Sequence, residues 1–210
     1  MRREAEQSFK RCDFTISGVE AMAAYFAFFA IMHSILADSR FKVRARKALG
    51  DVFERWQRLA YTVLALIMIL PFIYIFVYLP DRILYIVSWP GSGLLAACQA
   101  LAAIALLAAL RQTGISYFLG LEQIKRASAS GELVTSGFYC HHRNPLFFFA
   151  ALFLWLSPIM TLNLLAFNIL ATVYFYIGAL HEERSLMAEF GPRYEAYKKR
   201  VPMFLPRLKC

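Results

Sequence analysis

The chain has 210 residues, of which 60% are hydrophobic and 18% are charged, and its formal net charge is +9. This composition, with a positive mean hydropathy, lies outside the range of soluble globular domains and predicts a membrane protein. The basic residues stand beside apolar runs without any nucleic-acid-binding motif, so we expect membrane lipids, and no nucleic acid, as a partner.

Three runs in the first half have the length and composition of a membrane helix. A hydrocarbon core about 30 Å thick needs roughly 20 apolar residues per helix. Residues 18–37, 59–79 and 94–110 meet this requirement, and Pro71 predicts a kink in the second run. Residues 1–110 are therefore predicted to form an N-terminal membrane region of three spans.

The longest stretch without a formal charge is 145–180. As one helix it would measure about 54 Å and would overshoot the bilayer. We therefore expect a hairpin that turns at Ser157-Pro158 and Thr161-Leu162-Asn163. The predicted fold is all-α: a polytopic membrane protein of about five transmembrane helices, with this C-terminal hairpin and a cytoplasmic tail inside a second region, 111–210.

The distribution of Lys and Arg predicts the orientation. If the loops 38–58 and 111–144 and the tail after 180 are cytoplasmic, they hold 18 of the 23 basic residues, as the positive-inside rule requires. The N-terminus is then outside. We expect the cytoplasmic (inner) membrane of a prokaryote, with any active site on its cytoplasmic side.

Two polar segments on that side can carry chemistry. The first enters the hairpin at Asn144-Pro145, where asparagine suits a helix N-cap and proline suits the first turn. The positive end of that helix would favour a carboxylate or another anion. The second segment starts with Glu182 and Glu183, which lie about 100° apart on a helix, so we expect one of them to face inward.

Several motifs in the last ninety residues resemble one known family. They are Gly131-Glu132-Leu133-Val134-Thr135-Ser136-Gly137-Phe138-Tyr139, Arg143-Asn144-Pro145-Leu146-Phe147, Glu182-Glu183, Phe190-Gly191, Tyr194, Tyr197, and Val201-Pro202 to Leu205-Pro206. In order and spacing they resemble the isoprenylcysteine carboxyl methyltransferases. Upstream, Phe118 to Gln123, His33-Ser34 and Arg58 to Tyr61 look more like the bacterial branch that includes methanethiol S-methyltransferase and NnrU-like proteins.

The resemblance implies a membrane enzyme that takes a methyl group from S-adenosylmethionine, held by the last two spans and the tail. Carried over by position, the cofactor-binding residues are Gln123, Leu133, Val134, Tyr139, Asn144, Pro145, Phe147, Glu182 and Glu183. Asn144 stands where the family has histidine, Phe147 where it has tyrosine, and Gly178 where the eukaryotic enzymes have a substrate-recognising arginine. We therefore rank a small thiol or another lipophilic acceptor, methylated on sulfur or oxygen, above a prenylcysteine carboxylate.

The main candidate residues can also be explained without a role in catalysis or cofactor binding. Glu182 and Glu183 could simply lie on an exposed helix start, Tyr139 could anchor the membrane interface, and Arg143 could be a positive-inside residue rather than a catalytic contact. His33, an ionisable group inside a span, could accept a thiol proton or merely bond to a carbonyl.

No metal is expected, because the four cysteines are scattered and His141-His142 has no third ligand nearby. The cysteines are accordingly expected to be reduced and incidental. The alternative function is a non-enzymatic, NnrU-like membrane accessory protein on the same scaffold, which the loss of the family's histidine and tyrosine would fit.

Overall fold

A computed structural model describes residues 17–125, 132–207 and 210, except for the side chains of Ser39, Asp51, Glu54, Tyr117, Gln123 and Lys125. The described residues are mostly helical, which confirms the predicted all-α class. The described helices are α1 (Gly18–Ala37), α2 (Ser39–Ile67), α3 (Leu70–Tyr78), α4 (Gly91–Gln112), α5 (Ile115–Phe118), α6 (Leu121–Lys125), α7 (Phe138–His141), α8 (Pro145–Trp155), α9 (Leu162–Phe190) and α10 (Pro192–Arg200). Two short strands, β1 (Ile83–Ile86) and β2 (Ile159–Thr161), pair antiparallel.

Four helical segments are long and apolar enough to cross a membrane. They are Gly18–Ala37, Arg55–Tyr78, Gly91–Gln112 and Leu162–Phe190. Their outward side chains are apolar, as lipid requires: Leu101, Ile104 and Ile177 are each more than half exposed. The chain is thus a multi-pass membrane protein. The third of these segments, α4 (Gly91–Gln112), is longer at both ends than the predicted 94–110.

Helix α1 packs against α3 and α9 through an aromatic core. Its start is fixed by a capping box in which Ser17 and Glu20 each accept a hydrogen bond from the other's backbone amide. The buried side chains of the core are Met22, Phe26, Phe72, Ile75 and Ala171. Rings from the three helices meet edge to face, as between Phe26 and Phe167. This packing holds the far end of α1, which carries His33, beside α9.

The segment 38–58, predicted as a loop, is helical. Helix α2 begins at an Asp38 cap, whose carboxylate accepts from the amides of Arg40 and Phe41 at 2.7 and 3.3 Å. Its interior is interrupted only at Gly50, where φ is 61°. The prediction counted the charges of this segment as a sign of loop, whereas they form the polar face of an amphipathic helix.

The kink predicted at Pro71 is confirmed. Helix α2 ends at Ile67, and α3 starts at Leu70 with the proline in its first turn. At the break the hydroxyl of Tyr25 donates to the carbonyl of Met68 at 2.8 Å. A side chain from α1 thus supplies a hydrogen bond to backbone that lacks water in the membrane.

The predicted hairpin is also confirmed. Helices α8 and α9 are joined by a turn that contains Ser157 and β2, and the Thr161 hydroxyl caps α9 by accepting from the Leu164 amide at 3.2 Å. Strand β2 pairs with β1, with Ile83 opposite Thr161. These strands were not predicted, because their apolar residues continue the hydrophobic runs of the helices without a change of pattern.

Helix α8 is the short member of the bundle. Its 11 residues measure about 16 Å, roughly half of a hydrocarbon core, so the predicted fifth crossing is not a full-length helix. It packs closely along alanine-rich α4, where Ala102 and Ala109 are buried and small side chains let the helices approach. Gln99 adds a hydrogen bond from its amide nitrogen to the Phe153 carbonyl at 2.9 Å.

The connecting segments gather at two opposite ends. At one end the Asn163 amide donates to the Asp81 carboxylate at 3.0 Å, and the Asn163 side chain donates to the Pro80 carbonyl at 3.2 Å. At the other end lie residues 112–125, 132–144 and 181–207, which we call the polar end. Most of the predicted site residues belong to the polar end.

Candidate functional site

Helix α10 and the segment after it fold back over the α7–α8 turn. The Arg143 amide donates to the Pro202 carbonyl and the Arg207 amide to the His141 carbonyl, both at 2.9 Å. The Tyr197 hydroxyl donates to the Tyr139 carbonyl at 2.5 Å. These contacts join residues about sixty positions apart and fix the backbone from Tyr139 to Arg143.

A small hydrophobic core holds α10 in place. Tyr194, Tyr197 and Val201 are buried in it, and Leu133 packs against them from the loop before α7. Burial raises the pKa of Tyr194 to about 12, with the Glu183 carboxylate acting in the same direction. The predicted site residue Leu133 therefore forms part of the wall that supports the tail, and Val134 follows it half-buried.

Arg143 and Glu183 form a buried ion pair. A guanidinium nitrogen of Arg143 lies 2.5 Å from a Glu183 carboxylate oxygen, and the side chains are 9% and 6% exposed. Lys198 approaches the other oxygen at 2.9 Å. Arg143 also donates to the carbonyls of Lys198 and Val201 at 2.9 and 3.2 Å. Arg143 and Glu183 are thus both held by other groups of the protein, and the pair aligns α8, α9 and α10. Direct contact of either residue with a cofactor stays a prediction.

Glu182 is placed differently from its neighbour. Its side chain is exposed, and within the described residues it makes no hydrogen bond or ion pair. It lies close enough to Arg58, on α2, and to Tyr139, on α7, for their charges to interact. The predicted division of the two glutamates is confirmed: one faces inward, and the other presents a carboxylate between three helices.

Tyr139 faces this carboxylate and is half-buried. Burial raises its pKa, and the carboxylate of Glu182 raises it further, so the phenol is neutral. Its helix is held by Gln112, whose side-chain oxygen accepts from the Phe138 amide at 3.1 Å. Gln112 was missed in the sequence because it ends a transmembrane helix. Its hydrogen bond with Phe138 and its position next to Gly137, where φ is 63°, show its role.

Asn144 and Pro145 are both buried. Pro145 occupies the first turn of α8 as predicted, but Asn144 does not cap the helix with its side chain. Its amide nitrogen points to the Met203 carbonyl at 3.4 Å instead, because the tail lies across this position. The predicted anion-binding helix start is therefore covered on one side by residues of the tail.

Phe147 fills the space beside Gly178. A side-chain carbon added at Gly178 would lie 3.4 Å from the Phe147 ring, and that ring stacks on Phe175 at 5.7 Å between centroids. Phe147 and Gly178, the two positions that depart from the family pattern, are thus neighbours in the fold.

Gln123 lies in α6, but its side chain is outside the described residues. Its helix is anchored by Gly120, where φ is 85° and an added side-chain carbon would lie 2.6 Å from the Leu59 amide nitrogen. Residues 115–125 therefore rest on α2 next to Arg58, and Gln123 lies in this part of the polar end.

His33 sits in a cluster of hydroxyl groups rather than beside a single carbonyl. The Tyr174 hydroxyl is 2.7 Å from His33 Nδ1, and the Tyr61 hydroxyl is 2.9 Å from Nδ1 and 2.5 Å from Nε2. Phe29 stacks on the imidazole. Tyr61 lies one turn after Arg58, and Tyr174 lies two turns before Glu182, so the cluster is on the membrane side of that carboxylate. No sequence motif marked the two tyrosines.

The prediction that the cysteines are reduced is wrong for one pair. Cys140 and Cys210 form a disulfide, with their Cα atoms 5.3 Å apart, beside His141. The prediction failed because 70 positions separate the two residues, and sequence spacing does not reveal long-range contacts. His142 is buried against Phe148 and Phe149, and Cys98 is free.

No protein-family model and no solved structure matches the chain. Curated proteins do match. A methanethiol S-methyltransferase of Crocosphaera subtropica is 28% identical over 188 residues, which are 85% of this chain and 71% of that protein. One of Pseudomonas deceptionensis is 27% identical over 186 residues, 86% of this chain and 70% of that protein. Methanethiol S-methyltransferase 2 of Bradyrhizobium diazoefficiens is 31% identical over 189 residues, which are 86% of this chain and 70% of that protein. The chain belongs to the methanethiol S-methyltransferase family.

The family match is broader than the motif resemblance. Matches of 186 to 189 residues extend well beyond the last ninety, so they include much of the membrane region that carries His33 and Tyr61. The predicted superfamily and its bacterial methanethiol S-methyltransferase branch are therefore confirmed. The relatives' names describe transfer of a methyl group to the sulfur of a small thiol.

Proposed function

We propose that this protein is an S-adenosylmethionine-dependent methyltransferase whose acceptor is a small thiol such as methanethiol. The observation that carries the proposal is the carboxylate of Glu182, which is exposed between α2, α7 and α9 and makes no ion pair within the described part of the chain. Family membership supports the reaction class, and the substrate in the relatives' names supports the acceptor.

The residues around Glu182 fit a methyl donor of this type. S-Adenosylmethionine supplies an electrophilic methyl group on a sulfonium, together with ribose hydroxyls that a carboxylate can accept from and an adenine that a ring can stack on. We assign Glu182 to the hydroxyls and Tyr139 to the adenine. Val134, Asn144, Pro145, Phe147 and Gln123 complete the proposed wall, and Leu133, Arg143 and Glu183 position it.

The acceptor side is formed by the membrane part of the bundle. Gly178 supplies no counter-ion where a prenylcysteine carboxylate would need one. The ring of Phe147 lines the space beside it with aromatic surface. A small apolar thiol needs no such counter-ion. An O-methylated or other lipophilic acceptor is the less favoured form of the same proposal, because no relative's name describes one.

His33 is proposed to remove the thiol proton. Methyl transfer is an in-line displacement in which the acceptor sulfur forms a bond to carbon as the old carbon–sulfur bond breaks and its electron pair stays on the departing sulfur. The thiol proton passes to an imidazole nitrogen, and Tyr61 and Tyr174 hold the ring and stabilise its charge. The proton then returns to water.

The division of labour within the chain and its orientation belong to the same proposal. Residues 1–110 form the membrane region and 111–210 the methyltransferase region, although His33 and Tyr61 reach the site from the first. The segments 38–58 and 111–144 and the tail after 180 together hold 18 of the 23 basic residues. We therefore place the polar end in the cytoplasm, at the inner membrane of a prokaryote, where the charged donor is available.

Binding of S-adenosylhomocysteine to the purified protein in detergent, measured by calorimetry, tests the donor site. We expect saturable binding, and we expect membranes with labelled S-adenosylmethionine and methanethiol to release labelled dimethyl sulfide. Absence of binding at millimolar ligand would overturn the enzyme proposal in favour of a non-enzymatic accessory protein. Binding with transfer only to prenylcysteine would overturn the acceptor.

A further inference from the structure

Three metal-ligating side chains meet at the edge of the polar end. The sulfur atoms of Cys140 and Cys210 and a ring nitrogen of His141 all lie within 4.8 Å of one another. His141 Nε2 is 3.5 Å from the Cys210 sulfur. Cys140 and His141 are half-buried, and Cys210 is exposed. The proposed methyl transfer uses none of these residues.

The imidazole of His141 is oriented as a ligand. Its Nδ1 is 2.6 Å from the Arg207 carbonyl oxygen, and a carbonyl can only accept, so Nδ1 carries the proton and donates. In a neutral ring, Nε2 then has its lone pair free, and this is the nitrogen next to the cysteines. A backbone carbonyl that fixes the second nitrogen is the usual support of a metal-bound histidine.

The spacing suits a tetrahedral zinc ion. Zinc bonds of about 2.3 Å to sulfur and 2.0 to 2.1 Å to nitrogen place the two ligand atoms roughly 3.6 Å apart, and the Nε2 to sulfur distance is 3.5 Å. The two sulfurs would have to separate to roughly 3.8 Å, which the exposed position of Cys210 allows. Thiolate and imidazole together select soft d¹⁰ cations over calcium or magnesium.

We propose that Cys140, His141 and Cys210 bind a zinc ion, with solvent as the fourth ligand. In the cytosol, two low-molecular-weight thiols reduce the Cys140–Cys210 disulfide and are themselves oxidised to a disulfide. On binding, each cysteine thiol then gives its proton to water, and the two thiolates and the neutral imidazole donate electron pairs to the metal. The ion ties the end of the tail to α7, one residue from Tyr139. It adds a fourth link to the backbone contacts made by Arg143, Arg207 and Tyr197.

The test is titration of the reduced, detergent-purified chain with cobalt(II), a spectroscopic substitute for zinc. We expect stoichiometric binding with the sulfur-to-cobalt charge-transfer band and intense visible bands of a tetrahedral site, all displaced by zinc. Cys140→Ser and Cys210→Ser should each weaken the charge-transfer band, because one sulfur ligand is lost, and should lower the affinity for cobalt at least tenfold. His141→Ala should weaken binding but keep sulfur ligation.

Cys98→Ser is the matched control and should titrate like the unchanged protein. Circular dichroism of each variant distinguishes a lost ligand from a lost fold, and Cys98→Ser with Cys12→Ser gives a chain whose only thiols are the proposed pair. Absence of cobalt binding by that reduced, folded chain would overturn the proposal. So would a Cys140–Cys210 disulfide in protein alkylated at lysis and mapped by mass spectrometry. The readout is metal binding, so it stands apart from methyl transfer.

Discussion

At the scale of single residues, Glu182 and Glu183 show how one step along a helix changes the role of a side chain. A rotation of about 100° turns Glu183 into a buried partner of Arg143 and leaves Glu182 exposed beside Tyr139. The sequence predicted that the two would differ, because adjacent residues cannot share a helix face. It could not predict which faced inward, since that depends on where the fold places Arg143 and Lys198.

Substitution of Glu182 by glutamine should weaken S-adenosylhomocysteine binding. Loss of a charge-assisted hydrogen bond costs about 1.5 to 3 kcal/mol, which corresponds to roughly a 10- to 100-fold higher Kd. Calorimetry measures the change, and Glu195→Gln, at an exposed carboxylate that pairs with Lys199, is the matched control. An unchanged Kd in Glu182→Gln would remove this residue from the donor site.

Replacement of His33 by phenylalanine should slow methyl transfer without weakening donor binding. General-base catalysis contributes typically 10² to 10⁴ in rate, and an apolar ring keeps the stack on Phe29. Initial rates with methanethiol, together with the Kd for S-adenosylhomocysteine, separate the two effects. Equal losses in both, or a rate that does not fall, would contradict a proton-accepting role for His33.

At the scale of elements, the tail is docked by a buried ion pair and a buried tyrosine. Arg143 and Glu183 join α8 to α9, and the hydrogen bonds of Arg143 to the Lys198 and Val201 carbonyls extend the link to α10. Tyr194 is 1% exposed at the centre of the α10 core. The helix boundaries here could be predicted from Gly191-Pro192 and Val201-Pro202, but this docking joins distant residues and has no local signal.

Glu183→Ala should destabilise the protein by about 3 to 5 kcal/mol, because it leaves a buried guanidinium without its partner. The double variant Arg143→Met, Glu183→Leu should lose less, because it leaves no buried charge. Thermal unfolding in detergent measures both. The exposed pair supplies the control, and Glu195→Ala should change stability by less than about 1 kcal/mol. A small effect of Glu183→Ala would mean that the tail is docked mainly by its apolar contacts.

Tyr194 should make the stability depend on alkaline pH. Its pKa is about 12 in the folded chain against about 10 in an unfolded one. Its contribution is thus complete below pH 10 and is lost as the pH rises toward 12, by about 3 kcal/mol at most. Unfolding of Tyr194→Phe, compared with the unchanged protein at pH 8 and 11, should show a smaller loss in the variant. Equal losses would place the alkaline transition elsewhere.

At the scale of the whole molecule, hydrophobic runs predicted most of the architecture and charge predicted less. The membrane helices and the hairpin follow from the length of uncharged sequence, because a bilayer core sets that length. The helical structure of 38–58 was not predicted, because the dense charges that form one face of α2 are equally typical of a loop. The pairing of β1 with β2, the hydroxyl cluster around His33 and the meeting of Cys140 with Cys210 depend on how helices pack, which no local pattern records.

The grouping of connecting segments at two ends predicts the sidedness of the chain. Alkaline phosphatase fused after residue 80 should be active, because this enzyme folds only outside the cytoplasm. Green fluorescent protein fused after residue 210 should fluoresce, because the polar end is proposed to be cytoplasmic. The exchanged fusions are the controls and should be silent. The opposite result at both positions would invert the proposed orientation.

The shortness of α8 has a consequence for how two unlike reactants could meet. The segment 137–144 before it contains only one helical turn, α7 (Phe138–His141), so no long helix fills the rest of the bilayer's thickness on that flank. Non-helical backbone at such depth must be buried in protein or border water. Where this segment borders water, an aqueous recess would extend toward Phe147, while lipid would reach the same ring from the side. A volatile thiol dissolved in the hydrocarbon and a charged nucleoside from the cytosol could then arrive from different phases, and neither would have to cross into the other's solvent.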